Sequence, residues 1–103
     1  MTKPIAAIIS NVSIDNFIKV SNYAAIISDN PIMRQRGVEF ILYKPNYEIF
    51  AATAPLQCYK DMINACDIFF VFWNGMSQDI KSAIDYAVSL NRKTRIYIIE
   101  ERD

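Results

Sequence analysis

The residue types that could do chemistry in this chain concentrate in one stretch, Trp73-Asn74-Gly75-Met76-Ser77-Gln78-Asp79. An apolar run, 67–73, ends there in an aromatic pair. One of only two glycines follows, and then a helical pattern begins. Gly75 can adopt a positive φ or let a ligand approach the backbone. The N-terminus of the next helix would offer unpaired N–H groups and a partial positive charge, a site for phosphate or carboxylate. Asn74 and Ser77 add side-chain donors, with Gln78 and Asp79 in the first turn. The same residues also read as a tight strand-to-helix turn capped by Ser77, and a single glycine favours that plainer reading.

Several chemistries are excluded by composition. The chain has no histidine, which removes the commonest general base and metal ligand and every Ser–His or Cys–His pairing. Its two cysteines, Cys58 and Cys66, fall on one helical segment. Eight residues at about 1.5 Å rise place them roughly 12 Å apart, beyond the ~4.4–6.8 Å that a disulfide spans. They read as small apolar thiols in a reducing cytosol, so a cytoplasmic location is expected, with no metal and no cofactor. Eleven basic and eleven acidic residues cancel, leaving no electrostatic footprint for nucleic acid or an anionic membrane. The N-terminal MTKPIAAIIS is too short an apolar run for a signal peptide or a membrane span.

The elements that must position the stretch follow from apolar periodicity. With 52% hydrophobic residues over 103 positions, one globular domain over 1–103 is expected, without linker, repeat or low-complexity tract. Residues 5–9 read as a buried strand. Ser13 would cap a helix carrying Ile14, Phe17, Val20, Ala24 and Ile27, ended by Asp29-Asn30-Pro31. Residues 38–44 form a second strand and 47–54 a loop. Pro55 opens a helix that runs to Ala65. Residues 68–73 make a strand covered on both faces. Ile80, Ala83, Ile84, Ala87 and Val88 mark a helix capped by Ser77 and ended at Asn91, and 95–99 is a fourth strand.

Strand–helix alternation of this kind predicts an α/β, Rossmann-like three-layer sandwich: a four-stranded parallel sheet with helices on both faces. These rules give the expected order 2-1-3-4. The switch point then lies between the C-terminal ends of strands 5–9 and 68–73, where open α/β sheets bind ligands. Ser10 and Asn11 meet the Asn74–Gln78 loop there. Tyr47 or Trp73 would supply an aromatic surface.

These residues carry a resemblance. Residues 37–99 resemble the SLOG superfamily of Rossmann-like nucleotide-binding proteins, especially its YspA/YpsA-related branch in bacteria and phages. Pro45-Asn46-Tyr47 stands where that branch has Pro-Asp-Trp, and Ala65-Cys66-Asp67 where an Ala-Asp opens a strand. Phe72-Trp73-Asn74-Gly75-Met76-Ser77-Gln78-Asp79-Ile80 is similar to its Phe-Trp-Asp-Gly-x-Ser-x-Gly-Thr signature, and Ile84-Asp85-Tyr86-Ala87 continues it. The departures are specific. The phosphate-facing Gly-Thr is Asp79-Ile80. The family's helix Arg-Asn falls at Gln57-Cys58-Tyr59, without arginine. Ala83 occupies the place of the catalytic glutamate in the phosphoribohydrolase branch.

Electrostatics decides between the readings that remain. Two unit charges ~4 Å apart interact by about 4 kcal/mol at an effective dielectric near 20. A helix dipole contributes about 0.3–1 kcal/mol. Asp79 would therefore repel a phosphate more than the helix attracts it. A shortened, degenerate member of the family is expected: non-catalytic, acting mainly by protein–protein interaction, in the phage setting on a host protein. The alternative is a binder of a nucleotide-derived ligand, such as an ADP-ribose-like molecule or a nucleoside monophosphate. Self-association is also expected, because four strands and three helices cover two sheet faces poorly. Tyr23, Tyr43, Tyr59 and Tyr86 are interface candidates.

Overall fold

A computed structural model describes residues 3–10 and 20–99. Five strands form one sheet: β1 (Ile5–Ser10), β2 (Ala25–Ser28), β3 (Glu39–Leu42), β4 (Ile68–Trp73) and β5 (Lys93–Ile98). Among the described residues three α-helices accompany them: α1 (Tyr47–Phe50), α2 (Ala54–Ala65) and α3 (Gln78–Ser89). Single 3-10 turns stand at Val20–Asn22, Pro31–Met33 and Ala51–Thr53. Every neighbouring pair is parallel, in the order β3-β2-β1-β4-β5. Doubly wound nucleotide-binding sheets use this order for their first five strands.

The expected four strands in the order 2-1-3-4 are thus corrected to five. The four expected strands survive as β1, β3, β4 and β5, in the expected relative order. The addition is β2, inserted between β3 and β1, where the sequence pattern had suggested the end of a helix. Its residues explain the change. Ala24-Ala25-Ile26-Ile27-Ser28 repeats Ala6-Ala7-Ile8-Ile9-Ser10 residue for residue, so the chain does contain a short repeat. All four residues of β2 are buried, as a central parallel strand requires. A continuous apolar run also satisfies helical spacing, so periodicity alone could not separate the two. Ser13, Ile14 and Phe17 lie outside the described residues.

The sheet separates two cores. On one face Ala7, Ile9, Ile27, Phe69, Val71 and Trp73 pack under α2 and α3. On the other, Ala6, Ile8, Ile26, Phe70 and Phe72 meet Met33, with Tyr23, Val38, Phe40 and Ile99 at the margin. A helical layer on each face was expected; among the described residues both long helices share one face. Phe69 and Phe72 are fully buried, each contributing about 1.5–3 kcal/mol from burial. Ser28, buried at the end of β2, donates its hydroxyl to the Ile8 carbonyl (2.8 Å) and accepts the Asn30 N–H (3.2 Å), so its polar group is satisfied.

The helix ends follow local chemistry. Pro55 sits in the first turn of α2, where its missing N–H costs nothing. Residues 47–54, expected as loop, hold the single-turn α1 capped by Asn46. Asn91 takes φ 58° just beyond α3, and the Arg92 N–H reaches back to the Ala87 carbonyl at 3.0 Å. The asparagine thereby closes a left-handed C-terminal cap.

Candidate functional site

Because all strands are parallel, their C-terminal ends share one edge. From β1 the chain moves outward to β2 and β3, then crosses to β4 and β5 on the other side. The switch point therefore lies between β1 and β4, where Ser10 pairs with Phe72. These are the two strands the sequence pattern pointed to. Ser10 is partly buried there. Asn11 lies outside the described residues.

The loop after β4 is tied to itself. Asn74 Oδ1 accepts the Met76 N–H at 3.0 Å, and Ser77 Oγ accepts the Ile80 N–H at 3.3 Å as the N-cap of α3. Gly75 has φ 85°, and a Cβ there would meet nothing within 4 Å. Glycine is required for the backbone angle, and no close approach demands it. Two further loops on this edge are built alike: Asn30 Oδ1 accepts the Ile32 N–H (3.0 Å) and Asn46 Oδ1 the Ile49 N–H (3.2 Å). These asparagines serve their own turns.

Trp73 is buried with α2 and α3, and its indole N–H has no hydrogen-bond partner. Two aromatic rings of α1 are exposed on this edge, Tyr47 at 62% and Phe50 at 39%. Gln78 is exposed, its amide 3.5 Å from the Ser82 hydroxyl. Asp79 is half-buried in the first turn of α3, favourably placed for the helix dipole.

Sequence reasoning missed a second acid at this end of the sheet. Asp29 immediately follows β2, and burial pushes its carboxyl above the ordinary value. Tyr59, on α2, is pushed far up by burial first and then by the charges of Asp29, Cys58, Asp79 and Tyr47. Asp29 and Asp79 thus both act electrostatically on the Tyr59 phenol, which stays neutral. Burial, then Asp29 and Asp61, raise the Cys58 thiol to about 11. A thiol so protonated is a poor nucleophile at neutral pH. Recognising β2 was the signal that would have exposed Asp29, since an acid just past the second strand is a ribose-binding position in such sheets.

No family model, curated protein or solved structure matches the chain. Among the described residues no group of three or more His, Cys, Asp or Glu could hold a metal ion, and no helix is long and apolar enough to cross a membrane.

The edge carries one more feature. Ile32 after β2, Tyr47 and Ile49 after β3, and Met76 after β4 are all largely exposed, Met76 at 82% and Ile32 at 75%. The junction between α1 and the 3-10 turn that follows holds Ala51 at φ 49° and ψ −123°. A residue with a Cβ is strained there, and such strain persists at functional segments.

Proposed function

We propose that this chain is a non-catalytic, SLOG-type Rossmann-like domain whose C-terminal edge docks a protein partner instead of a phosphate. The phage branch of the resemblance makes a host protein the expected partner. The observation that carries the reading is the set of exposed apolar side chains on the three loops after β2, β3 and β4. Exposed apolar residues gathered at one edge mark interaction surfaces. Asp29 and Asp79 support it from the other side, since both oppose a phosphate at the switch point. A photo-crosslinking residue in place of Met76 or Ile49 should capture one partner species in host cells, while the same residue at Lys81 on α3 captures none. Equal labelling at all three positions defeats the proposal.

A second reading has its own support. Asp29 stands where a sheet of this order places the acid that accepts ribose hydroxyls. A nucleoside-type ligand without a tightly held phosphate fits two carboxylates and the exposed Tyr47 ring. Calorimetric titration with adenosine, AMP and ADP-ribose separates the readings. Micromolar binding that Asp29→Asn abolishes establishes the ligand and displaces the docking role.

A further inference from the structure

The two edges of the sheet are not alike. β3 exposes Ile41 and Leu42 only at 38% and 36%, has four residues and is followed by Lys44-Pro45, and the Arg34 guanidinium covers Phe40 at 4.9 Å from the ring centre. Short length, charge and proline are the usual protection of an edge. β5 runs for six residues without proline or glycine and leaves Ile96, Tyr97 and Ile98 exposed, Ile98 at 67%. Val88 and Leu90, at the end of α3 just before β5, are exposed as well.

We propose that a second copy of this chain pairs antiparallel with β5 along the edge that no described strand covers, joining two sheets into one of ten strands about a two-fold axis at Ile96. The register pattern shows why a copy of the chain itself fits. A two-fold interface must be self-complementary. Ile96 and Ile98 align with Val71 and Trp73, on the face that carries α3; Arg95 and Tyr97 align with Phe70 and Phe72 on the other face. Centred on Ile96, antiparallel pairing sets Ile96 against its own copy. It sets Arg95 against the copy's Tyr97, twice by symmetry, a guanidinium–aromatic pair. Tyr97 is already held for this, stacked on Phe72 at 5.0 Å and 9°.

The two ends of the strand exchange in the same way. Ile98 closes β5, whereas Val88 and Leu90 stand where the chain enters it. In this register Ile98 of one β5 lies opposite Thr94 of the other, towards the end where the chain leaves α3. Charge within the strand has the same sense: Lys93 and Arg95 lie in its first half, and its second half, from Ile96 to Ile98, is uncharged. A parallel copy would set like charge beside like. The inference concerns an edge distinct from the rim at Met76 and stands or falls without it.

The residue on the axis gives a direct test. Light-scattering mass after gel filtration should show a dimer for the parent protein. Ile96→Glu and Ile96→Lys should each halve that mass, because each places like charges face to face, and a one-to-one mixture should recover the dimer. Melting curves confirm that both variants are folded. Met76→Asp should leave the mass unchanged. Ile96→Cys supplies a measurement that survives a poorly folding charge variant. Paired Cα atoms about 4.5–5.5 Å apart are within disulfide reach, so mild oxidation should give a covalent dimer that Ser82→Cys does not. A monomeric parent, a dimer indifferent to charge at position 96, or the absence of that crosslink overturns the proposal.

Discussion

Asp67 and Ile5 bind each other twice: the Ile5 N–H donates to Asp67 Oδ2 at 2.8 Å, and the Asp67 N–H donates to the Ile5 carbonyl at 2.8 Å. The carboxylate thus fastens the start of β4 to the start of β1, the step across which the switch point forms. Asp67 belongs to the Ala65-Cys66-Asp67 segment of the family resemblance, and the contact gives it a structural role at the edge opposite the candidate site.

Asp67→Ala is expected to lower stability by about 1–2 kcal/mol, the range of a charge-assisted hydrogen bond whose partner N–H stays within reach of water. Asp67→Asn keeps an acceptor and should lose less. Urea midpoints at constant slope measure both. Equal stability of the Ala variant and the parent would show the bridge to be dispensable.

Ala51 sits at a positive φ in a single turn between Phe50 and Ala52. Ala51→Gly should raise stability by about 1 kcal/mol, because glycine carries no Cβ penalty there. Gly75→Ala should do the reverse, costing about 1–2 kcal/mol through backbone strain alone, since a Cβ would meet no neighbour. A much larger loss at Gly75 would reveal a crowded site. Thermal melts of the two variants make the comparison.

Much of the arrangement was legible in the sequence, and the failure was local. Ser77 capping α3, Asn91 closing it and Pro55 opening α2 all follow from backbone chemistry that a few neighbouring residues decide. β2 did not, because Ala24–Ser28 fits a helix face as well as a strand and only its sheet neighbours choose. That single ambiguity hid Asp29, which becomes a site residue only when the strand before it is recognised. The exposed rim was hidden for another reason. Ile32, Ile49 and Met76 resemble core residues until the fold shows which side chains water reaches.

The thiols set an alkaline limit. Burial, foremost, raises Cys58 and Cys66 from 9.0 to about 11, and Tyr59 is raised too. Groups raised on folding add stability that is complete below their unfolded values. It is lost as pH rises from about 9 towards 11, because the unfolded chain releases its protons first. Urea midpoints should fall across that window, by at most about 1.4 kcal/mol per pH unit for each thiol. The Cys58→Ala, Cys66→Ala double variant should flatten the decline. An unchanged slope in that variant would exclude the thiols as its source.

Asp29 gives the opposite comparison at acid pH. Its carboxyl is raised by burial from 3.8, so the protonated form suits the fold and ionisation opposes it. The associated stability is present below the unfolded value and lost as pH rises through the folded one. Asp29→Asn, neutral throughout, should therefore melt higher than the parent at pH 7, and the advantage should vanish near pH 3. A residue that costs stability at neutral pH suits a site kept for binding. An Asn variant that melts lower at pH 7 would mean the carboxylate holds a structural partner.

Asp79→Gly with Ile80→Thr would introduce the Gly-Thr of the SLOG signature that the segment resembles, and the structure indicates what else must change. Ser77 caps the backbone N–H of residue 80, so the cap survives the exchange. Ile80 is buried, and losing its side chain should cost about 1–3 kcal/mol. Glycine at 79 should cost up to about 1 kcal/mol more. Removing Asp79 frees the N-terminus of α3 for an anion, yet Asp29 still sets a negative charge at the switch point. Two charges near 4 Å oppose by about 4 kcal/mol at an effective dielectric near 20, several times a helix-dipole gain of about 0.3–1 kcal/mol. The double variant should thus gain little affinity for AMP. Adding Asp29→Asn should give the larger gain, and it should also recover part of the lost stability. Titration of the parent, double and triple variants with AMP and adenosine tests the order. If the parent binds AMP most tightly and each replacement weakens it, the carboxylates are ligand contacts, and the edge is a working nucleotide site rather than a converted one.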